Sequence, residues 1–579
     1  MKRLPVRPLR LRRRTDRPLP AALSGLDPLL ARLYAARGVH DPSQLELELG
    51  RLAPVGTLGG IDAAVDALLA HRTRRIVVIG DFDADGATST ALVLRCLRDF
   101  GFEAVDYLVP NRFDFGYGLT PEIVRVAARF GPALLVTVDN GISCLDGVAE
   151  AHSLGIEVLI TDHHLPGAEL PPARAIVNPN VNPGVATETG GDRFASPHLA
   201  GVGVAFYLMA ALGRALERGG QSGAARVAAR YLDLVALGTV ADVVPLDQNN
   251  RILVTQGLKR IRAGRCVPGI SALLVQGGRD PARTVSTDLG FAAAPRLNAA
   301  GRLNDMSVGI ECLLTDDASV AGRLAGILAG INSDRRDIEA GMREQAFAYV
   351  DSLSATGLPS CVCVYQPAWH QGIVGLIATR VRERCHRPVI AFAQDGNGRL
   401  KGSARSVAGI HARDLLEAIS STHPGLIERF GGHAMAAGLS LAEDALPAFS
   451  QAASEQLTRL HPDADFSGAI LTDGELPHIS LEVARMLREA GPWGAGFPEP
   501  VWSGDFELLE QRTVGERHLK LSLRPLAGET VVDAIAFDQA GPAWRGKVRL
   551  AFRLDVNEWR GIESPQLVVE QITSLAFAK

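Results

Sequence analysis

Asp81, Asp83 and Asp85 stand at alternating positions in Gly80-Asp-Phe-Asp-Ala-Asp-Gly86, the sharpest chemical feature of the chain. They follow the apolar run RIVVIGD and lead into a Thr/Ser-rich helix start. In extended chain, residues i, i+2 and i+4 point the same way, so the three carboxylates are expected to project together. Alone they repel one another, and a divalent cation removes that repulsion. The plainer reading is a polar loop that caps the next helix; three aligned acids speak against it. An EF-hand loop also opens DxDxDG, but it lies between helices and carries Glu at its twelfth position, where Leu92 stands here. Asp139 ends the run ALLVTVD, and the run EVLIT ends in Asp162-His163-His164. Asp242 is an acid within the apolar stretch LVALGTVADVVPL, where an ion pair or a metal must satisfy it. Carboxylates with imidazole and no thiolate suit Mn2+ or Mg2+ better than structural zinc. No convincing GxSxG or catalytic-cysteine signature competes with this cluster.

Such a cluster needs several strands ending at one edge. Apolar runs at 75–81, 104–110, 133–139 and 157–164 alternate with helical stretches such as Thr88 to Phe100 and Pro121 to Phe130. This pattern predicts a parallel α/β sheet, whose ligands lie at the carboxyl ends of its strands. Residues 250–345 read as mainly helical, with 318–350 a long connecting helix. A second α/β pattern follows, from PSCVCVYQ (359–366) to the Gly-rich FGGHAMAAGLSL (430–441). After about residue 465, short strands at roughly ten-residue spacing predict a small β-barrel or sandwich. The first fifty residues are Arg, Pro and Leu rich and read as an arm, with Arg10 to Arg14 a solvated cluster.

Composition narrows the class. The chain has 579 residues, 47% hydrophobic and 21% charged, which excludes a disordered or fibrous protein. A net charge of −4 advertises no nucleic-acid partner, so any basic surface must be local. Seven cysteines are too few for a disulfide framework, and Cys361 and Cys363 lack zinc-type spacing. The opening MKRLPVRPLRLRRR has no apolar core or cleavage site after it, and Val202 to Gly213 is too short to span a bilayer. A cytoplasmic protein is expected.

DFDADG, VDNG (138–141), DHH (162–164) and ALGTVADVVPL closely resemble the DHH phosphoesterase superfamily. PNRFDFGYGL (110–119), PRLNAAGR (295–302), HQGIVGLIATR (370–380), GSARS (402–406) and FGGHAMAAGLS (430–440) extend the likeness. From about residue 50 onward the chain resembles the RecJ family of bacterial single-strand-specific exonucleases. The resemblance implies two α/β domains joined by a long helix, plus a C-terminal oligonucleotide-binding (OB-fold) β-barrel. The boundaries are an arm at 1–50, the DHH catalytic domain at 51–250, and a helical region and connector at 251–345. The DHH-associated substrate domain follows at 346–460 and the barrel at 461–579.

It further implies two divalent ions, Mn2+ or Mg2+. Asp83 and Asp85 would each serve one ion, Asp139 would bridge, and His163 and Asp242 would complete the set. Asp81 would be a ligand or the support of one. His164 would contact the scissile phosphate or orient the leaving oxygen, so the catalytic residues are His164, Asp139 and His163. Ser403, Arg405 and His433 would hold a phosphate or 5′ end, with Arg112, Arg296, Asn298 and Arg302 facing the cleft. On the barrel, Trp493, Arg517, His518, Lys520, Trp559 and Arg560 are candidates for gripping and stacking on a strand. The implied activity is 5′–3′ degradation of single-stranded DNA to mononucleotides in recombination and repair. A single-strand-binding protein and a RecQ-type helicase are the implied partners of a monomer that needs no membrane. Two alternatives stand beside this: hydrolysis of short oligonucleotides or cyclic dinucleotides, and a non-catalytic single-strand-binding scaffold.

Overall fold

The computed structural model describes residues 9–15, 17–110, 118–181, 194–354, 357–396, 398–541 and 543–575. Two compact units emerge. One comprises Arg17–Ser333 with Glu489–Glu499; the other comprises Asp334–Arg488 and Pro500–Lys579 with the segment before Arg17.

The first unit is built on five parallel strands: β1 (Ile76–Ile79), β2 (Val105–Leu108), β3 (Leu134–Val138), β4 (Glu157–Thr161) and β5 (Ala175–Val177). Their order is β2-β1-β3-β4-β5. Every side chain of β1 and β3 is buried, as strands covered on both faces require. The chain steps outward from β1 to β2, then back past β1 to β3. That reversal opens a crevice at the carboxyl ends of β1 and β3, where such sheets take their ligands. Helices start where capping residues allow. Asp83 caps Ala84–Asp99, and Thr120 caps Pro121–Ala128, whose first residue is a proline with no amide to lose. The helix Gly201–Arg218 is buried along most of its length and packs with Ala84–Asp99 in the same core.

In the second unit a mixed sheet runs in the order β9-β10-β8-β7-β6. Its strands are β6 (Val362–Tyr365), β7 (Val389–Gln394), β8 (Arg399–Arg405), β9 (Arg429–Gly432) and β10 (Ala436–Ala442). A closed barrel follows, from β11 (Trp502–Val514), β12 (His518–Pro525), β13 (Val532–Ala536), β14 (Lys547–Trp559) and β15 (Ile562–Ser574). Along β12 the leucines Leu519, Leu521 and Leu523 are buried while His518, Lys520 and Ser522 stay partly open, the period of two that a barrel wall demands. Within the expected arm, Arg10–Arg13 forms a strand parallel to Ala469–Thr472, and Gln571 of β15 both donates to and accepts from the backbone of Leu9. Ala318–Ser354 is one continuous helix of 37 residues. Among the described residues no single helix is long and apolar enough to cross a membrane.

Candidate functional site

The acids of the first unit converge at the β1/β3 crevice. Three donor groups form there: Asp81, Asp83 and Asp139; Asp85, His163 and Asp242; and Asp139, His163 and His164. Within each group the donor atoms lie within 4.8 Å of one another. The His163 Nε2 atom is 3.1 Å from Asp139 Oδ1 and 3.5 Å from Asp242 Oδ2, which knits the first two groups into one cluster.

The three alternating acids reach this point differently from the extended-chain expectation. Asp83 already caps a helix, its Oδ1 accepting from the amides of Asp85 and Gly86 at 3.0 Å each. Asp85 lies in the first helical turn, so Asp81 and Asp83 precede the helix and Asp85 belongs to it. Both Asp85 oxygens also accept from the start of another helix, the amides of Gly201 at 2.7 Å and Val202 at 2.9 Å. The capping loop and the acid cluster are therefore one feature, not rival readings. Asp139 directly follows β3 with φ of 62°, a left-handed conformation that non-glycine residues seldom adopt. A Cβ at Gly201 would lie 2.6 Å from the Asp139 Cβ, so only glycine lets that helix end approach so closely.

Burial and crowding both act on these carboxylates. Desolvation, then the neighbouring Asp83, pushes Asp85 up to about 7. Asp139 and Asp242 are held well above the ordinary carboxylate range, by burial first and then by the charges of Asp85, Asp83 and Asp81. Oxygen donors so reluctant to ionise together fit a divalent cation, which removes the repulsion that raises them. The absence of thiolates from the cluster, and the excess of carboxylate over imidazole, favours hard ions such as Mn2+ or Mg2+.

Asp162 has a separate task that the sequence reading did not give it. It is 1% exposed and accepts from His164 Nδ1 at 2.7 Å, from the His163 and His164 amides, and from Ile142 N at 3.0 Å. Burial works against its charge, but these bonds prevail and hold it below the usual carboxylate range. Burial likewise opposes a charged His164, and the Asp162 bond and charge overcome it, raising that imidazole. Asp162→Asn should therefore lower turnover by about 10- to 100-fold, the cost of losing a partner that orients a histidine at such a cluster. Steady-state kcat, with melting temperature as a folding control, checks this.

Of the other candidates, Asn298 lies at the cluster, its side-chain oxygen accepting from Ala84 N at 2.8 Å. Arg302 sits half-buried on the same helix, Ala294–Leu303. Arg296 donates to the carbonyls of Ala292 and Gln276, and so braces the π-helical turn Leu289–Ala293. Arg112 lies outside the described residues.

In the second unit, Arg405 donates to Ser403 Oγ at 2.9 Å. A Cβ at Gly375 would stand 2.9 Å from the guanidinium and 3.1 Å from that hydroxyl, so the helix Val374–Cys385 begins directly against both. His433 follows β9, and its amide donates to Ala436, the residue paired with Arg405. The GSARS and GGH motifs thus meet at one sheet edge, beside a helix start that suits an anion.

The barrel candidates separate. Arg517 is exposed in the β11–β12 turn, and Lys520 on β12 is 2.8 Å from Asp533. Cross-strand register sets Arg512, Lys520, Ile535, Val568 and Arg553 in one outward row, with His518 and Phe537 beside it, ring centroids 5.3 Å apart. Phe537, 51% exposed, was missed because a lone aromatic after a strand gives no periodic signal. Trp493 corrects the expectation: it is not on the barrel and is no stacking platform. It belongs to Glu489–Glu499 of the first unit, 7% exposed, stacked on Phe497 at 5.3 Å and Tyr34 at 6.3 Å. Trp559 and Arg560 lie at the far end of β14, with the Trp559 ring 69% exposed.

Comparison with known proteins agrees with this division. Residues 75–239 match the DHH family N-terminal domain, 358–459 the DHHA1 domain and 472–571 the RecJ OB domain. The chain is 53% identical to the single-stranded-DNA-specific exonuclease RecJ of Dickeya dadantii, covering 98% of this chain and 100% of that protein. It is similar to the crystal structure of RecJ in complex with Mn2+ from Thermus thermophilus, with TM-score 0.79, 30% identity and coverage of 98% of this chain and 80% of that one. The Mg2+ complex of the same protein gives TM-score 0.74 at 29% identity, over 98% and 79%. Spread over nearly the whole length and all three domain types, this likeness means that the chain belongs to the RecJ family of DHH-type exonucleases.

Proposed function

We infer that this chain is a metal-dependent exonuclease specific for single-stranded DNA, acting 5′ to 3′ and releasing mononucleotides in recombination and repair. The observation that carries the inference is the convergence of Asp81, Asp83, Asp85, Asp139, His163 and Asp242 at the β1/β3 crevice. We assign these six as the donors for two Mn2+ or Mg2+ ions, Asp139 serving both. When bound, such ions lower the pKa of water and neutralise charge on the attacking and leaving oxygens of a phosphodiester. His164, oriented by Asp162 and with its imidazole raised by that bond, donates a hydrogen bond to the scissile phosphate. Ser403, Arg405 and His433 take the 5′-terminal phosphate, and the outward row through Arg512 and Lys520 follows the strand backbone. A RecQ-type helicase and a single-strand-binding protein, as the family's role suggests, present the substrate to a cytoplasmic monomer.

Mononucleotide release from 5′- and 3′-labelled single strands and duplexes, in Mn2+, Mg2+ and chelator, tests this reading. Release from single strands alone, beginning at the 5′ label and abolished by chelator, is expected. A marked preference for a dinucleotide over a long strand, or binding without any metal-dependent release, overturns it. Gly375→Ala should raise KM for 5′-phosphorylated strands about tenfold, because the new methyl displaces the Arg405 guanidinium. Its kcat, set in the other unit, should change far less.

A further inference from the structure

The hairpin of β14 and β15 outgrows the barrel. Strand β11 pairs with β14 only from Lys547 to Phe552, and β13 pairs with β15 only from Gln566 to Val568. Yet β14 and β15 continue pairing with each other through Asp555↔Gln566 to Trp559↔Ile562. Their outer residues form a two-stranded ribbon closed by Arg560 and Gly561, with φ of 52° and 78°. Two successive positive φ angles are those of the tight I′ turn, whose twist matches the flanking strands and leaves little play. Arg485 of the helix Leu481–Glu489 fastens the ribbon by an ion pair to Glu563, its Nε at 2.9 Å.

This braced ribbon carries two large apolar side chains at its tip. Trp559 is 69% exposed and Ile562 is 73% exposed, and they stand directly opposite each other. Cross-strand partners lie about 5 Å apart at Cβ, so the pair forms one apolar platform spanning both strands. The Arg560 guanidinium lies 5.7 Å from the centre of the Trp559 ring. Alternation along β14 and β15 puts Trp559 and Ile562 on the same face as Arg553 and Val568. Arg553 and Val568 also belong to the row through Ile535 and Lys520 to Arg512, so the tip rises from the same outward surface of the barrel that carries this row.

A single unstacked base needs one aromatic ring, whereas the end of a duplex is a flat apolar surface two bases wide with phosphates at its edges. A two-residue platform with an adjacent arginine matches the second, since apolar and aromatic side chains stack on base faces and arginine pairs with phosphate. We propose that the tip of the β14–β15 ribbon caps the terminal base pair of duplex DNA adjoining the single strand. Trp559 and Ile562 stack on the two bases, and Arg560 meets a backbone phosphate. The proposal rests on the nuclease reading only for the kind of DNA the protein meets.

The test uses the full chain in chelator, where no DNA is consumed. One probe is a duplex with a single-stranded tail of about 12 nucleotides and 2-aminopurine in the terminal pair at the junction; the other is the tail alone. The tailed duplex should bind about tenfold more tightly than the tail, with a change in 2-aminopurine fluorescence. Trp559→Ala should erase that excess and the fluorescence change, and Trp559→Phe should retain most of both. Equal wild-type affinity for the two probes overturns the proposal, as does a Trp559→Ala loss that is the same for both. Failure to release nucleotides from single strands in Mn2+ would instead sink the nuclease reading and leave the junction result standing.

Discussion

Asp139→Asn is expected to reduce nucleotide release in Mn2+ by about three orders of magnitude, the scale of several kcal/mol of lost transition-state stabilisation. The residue belongs to two of the three donor groups, with Asp81 and Asp83 on one side and with His163 and His164 on the other, and lies 3.1 Å from His163. On the proposed assignment, one substitution therefore damages both ion positions at once. Asparagine is the informative replacement. It keeps the size of the side chain and tolerates the left-handed backbone at φ 62°, where alanine would add strain. It also removes a buried carboxyl whose ionisation the fold resists, so in chelator, at pH above the ordinary carboxylate range, the variant should melt at a higher temperature than the wild type. A variant that is inactive yet more stable without metal separates a chemical loss from a folding loss. Retention of more than about a tenth of wild-type turnover would sink the bridging assignment.

Without metal the protein should lose stability as pH rises from about 4 to about 7. Asp85 is held at about 7, against an ordinary carboxylate value near 3.8. The folded state therefore keeps a proton that the unfolded state has already released. Through that window the unfolded chain binds fewer protons, so stability falls with rising pH, and the loss is complete above the folded value. For Asp85 alone the loss is on the order of 4 kcal/mol, and Asp139 and Asp242, raised by the same causes, act in the same direction. A bound cation takes the place of the proton. Melting temperatures in chelator should fall between pH 5.5 and 8, and saturating Mn2+ should remove the slope and raise the pH 8 value most. A flat chelator profile, or equal metal stabilisation at pH 5.5 and 8, would contradict the crowding inferred for the cluster.

What could be read beforehand was what periodicity encodes. The buried runs of β1, β3 and β4, the helices between them and the period-two strands of the barrel all follow from spacing and burial. The acid cluster was legible for the same reason: a parallel sheet delivers residues just beyond its strands to one edge. Assumptions about local geometry fared less well. The acids at 81, 83 and 85 were expected in extended chain, but the N-cap preference of Asp83 starts the helix earlier and carries Asp85 into it. Asp162 could be spelled out of the motif, but its turn toward His164 depends on the Ile142 amide, twenty residues away. Arg296 was a candidate facing the cleft, and its bonds to the carbonyls around a π-helical turn had no signal in the sequence. Trp493 was assigned by its neighbours in sequence, whereas its neighbours in space come from residues 34, 37 and 497.

The placement of Glu489–Glu499 bears on how the protein is made. Trp493 and Phe497 complete a stack with Tyr34, Ser286 Oγ donates to the Trp493 carbonyl, and the Leu246 amide donates to the Ala495 carbonyl. Gly494 and Gly496 fit against Leu246 and Pro245, a few residues beyond Asp242. A ribosome reaches these eleven residues only after both sheets have been synthesised. Until then Pro245 and Leu246, just beyond Asp242, lack these contacts. A polypeptide cut short before residue 489 would keep the strands of both sheets without the segment that backs Pro245 and Leu246.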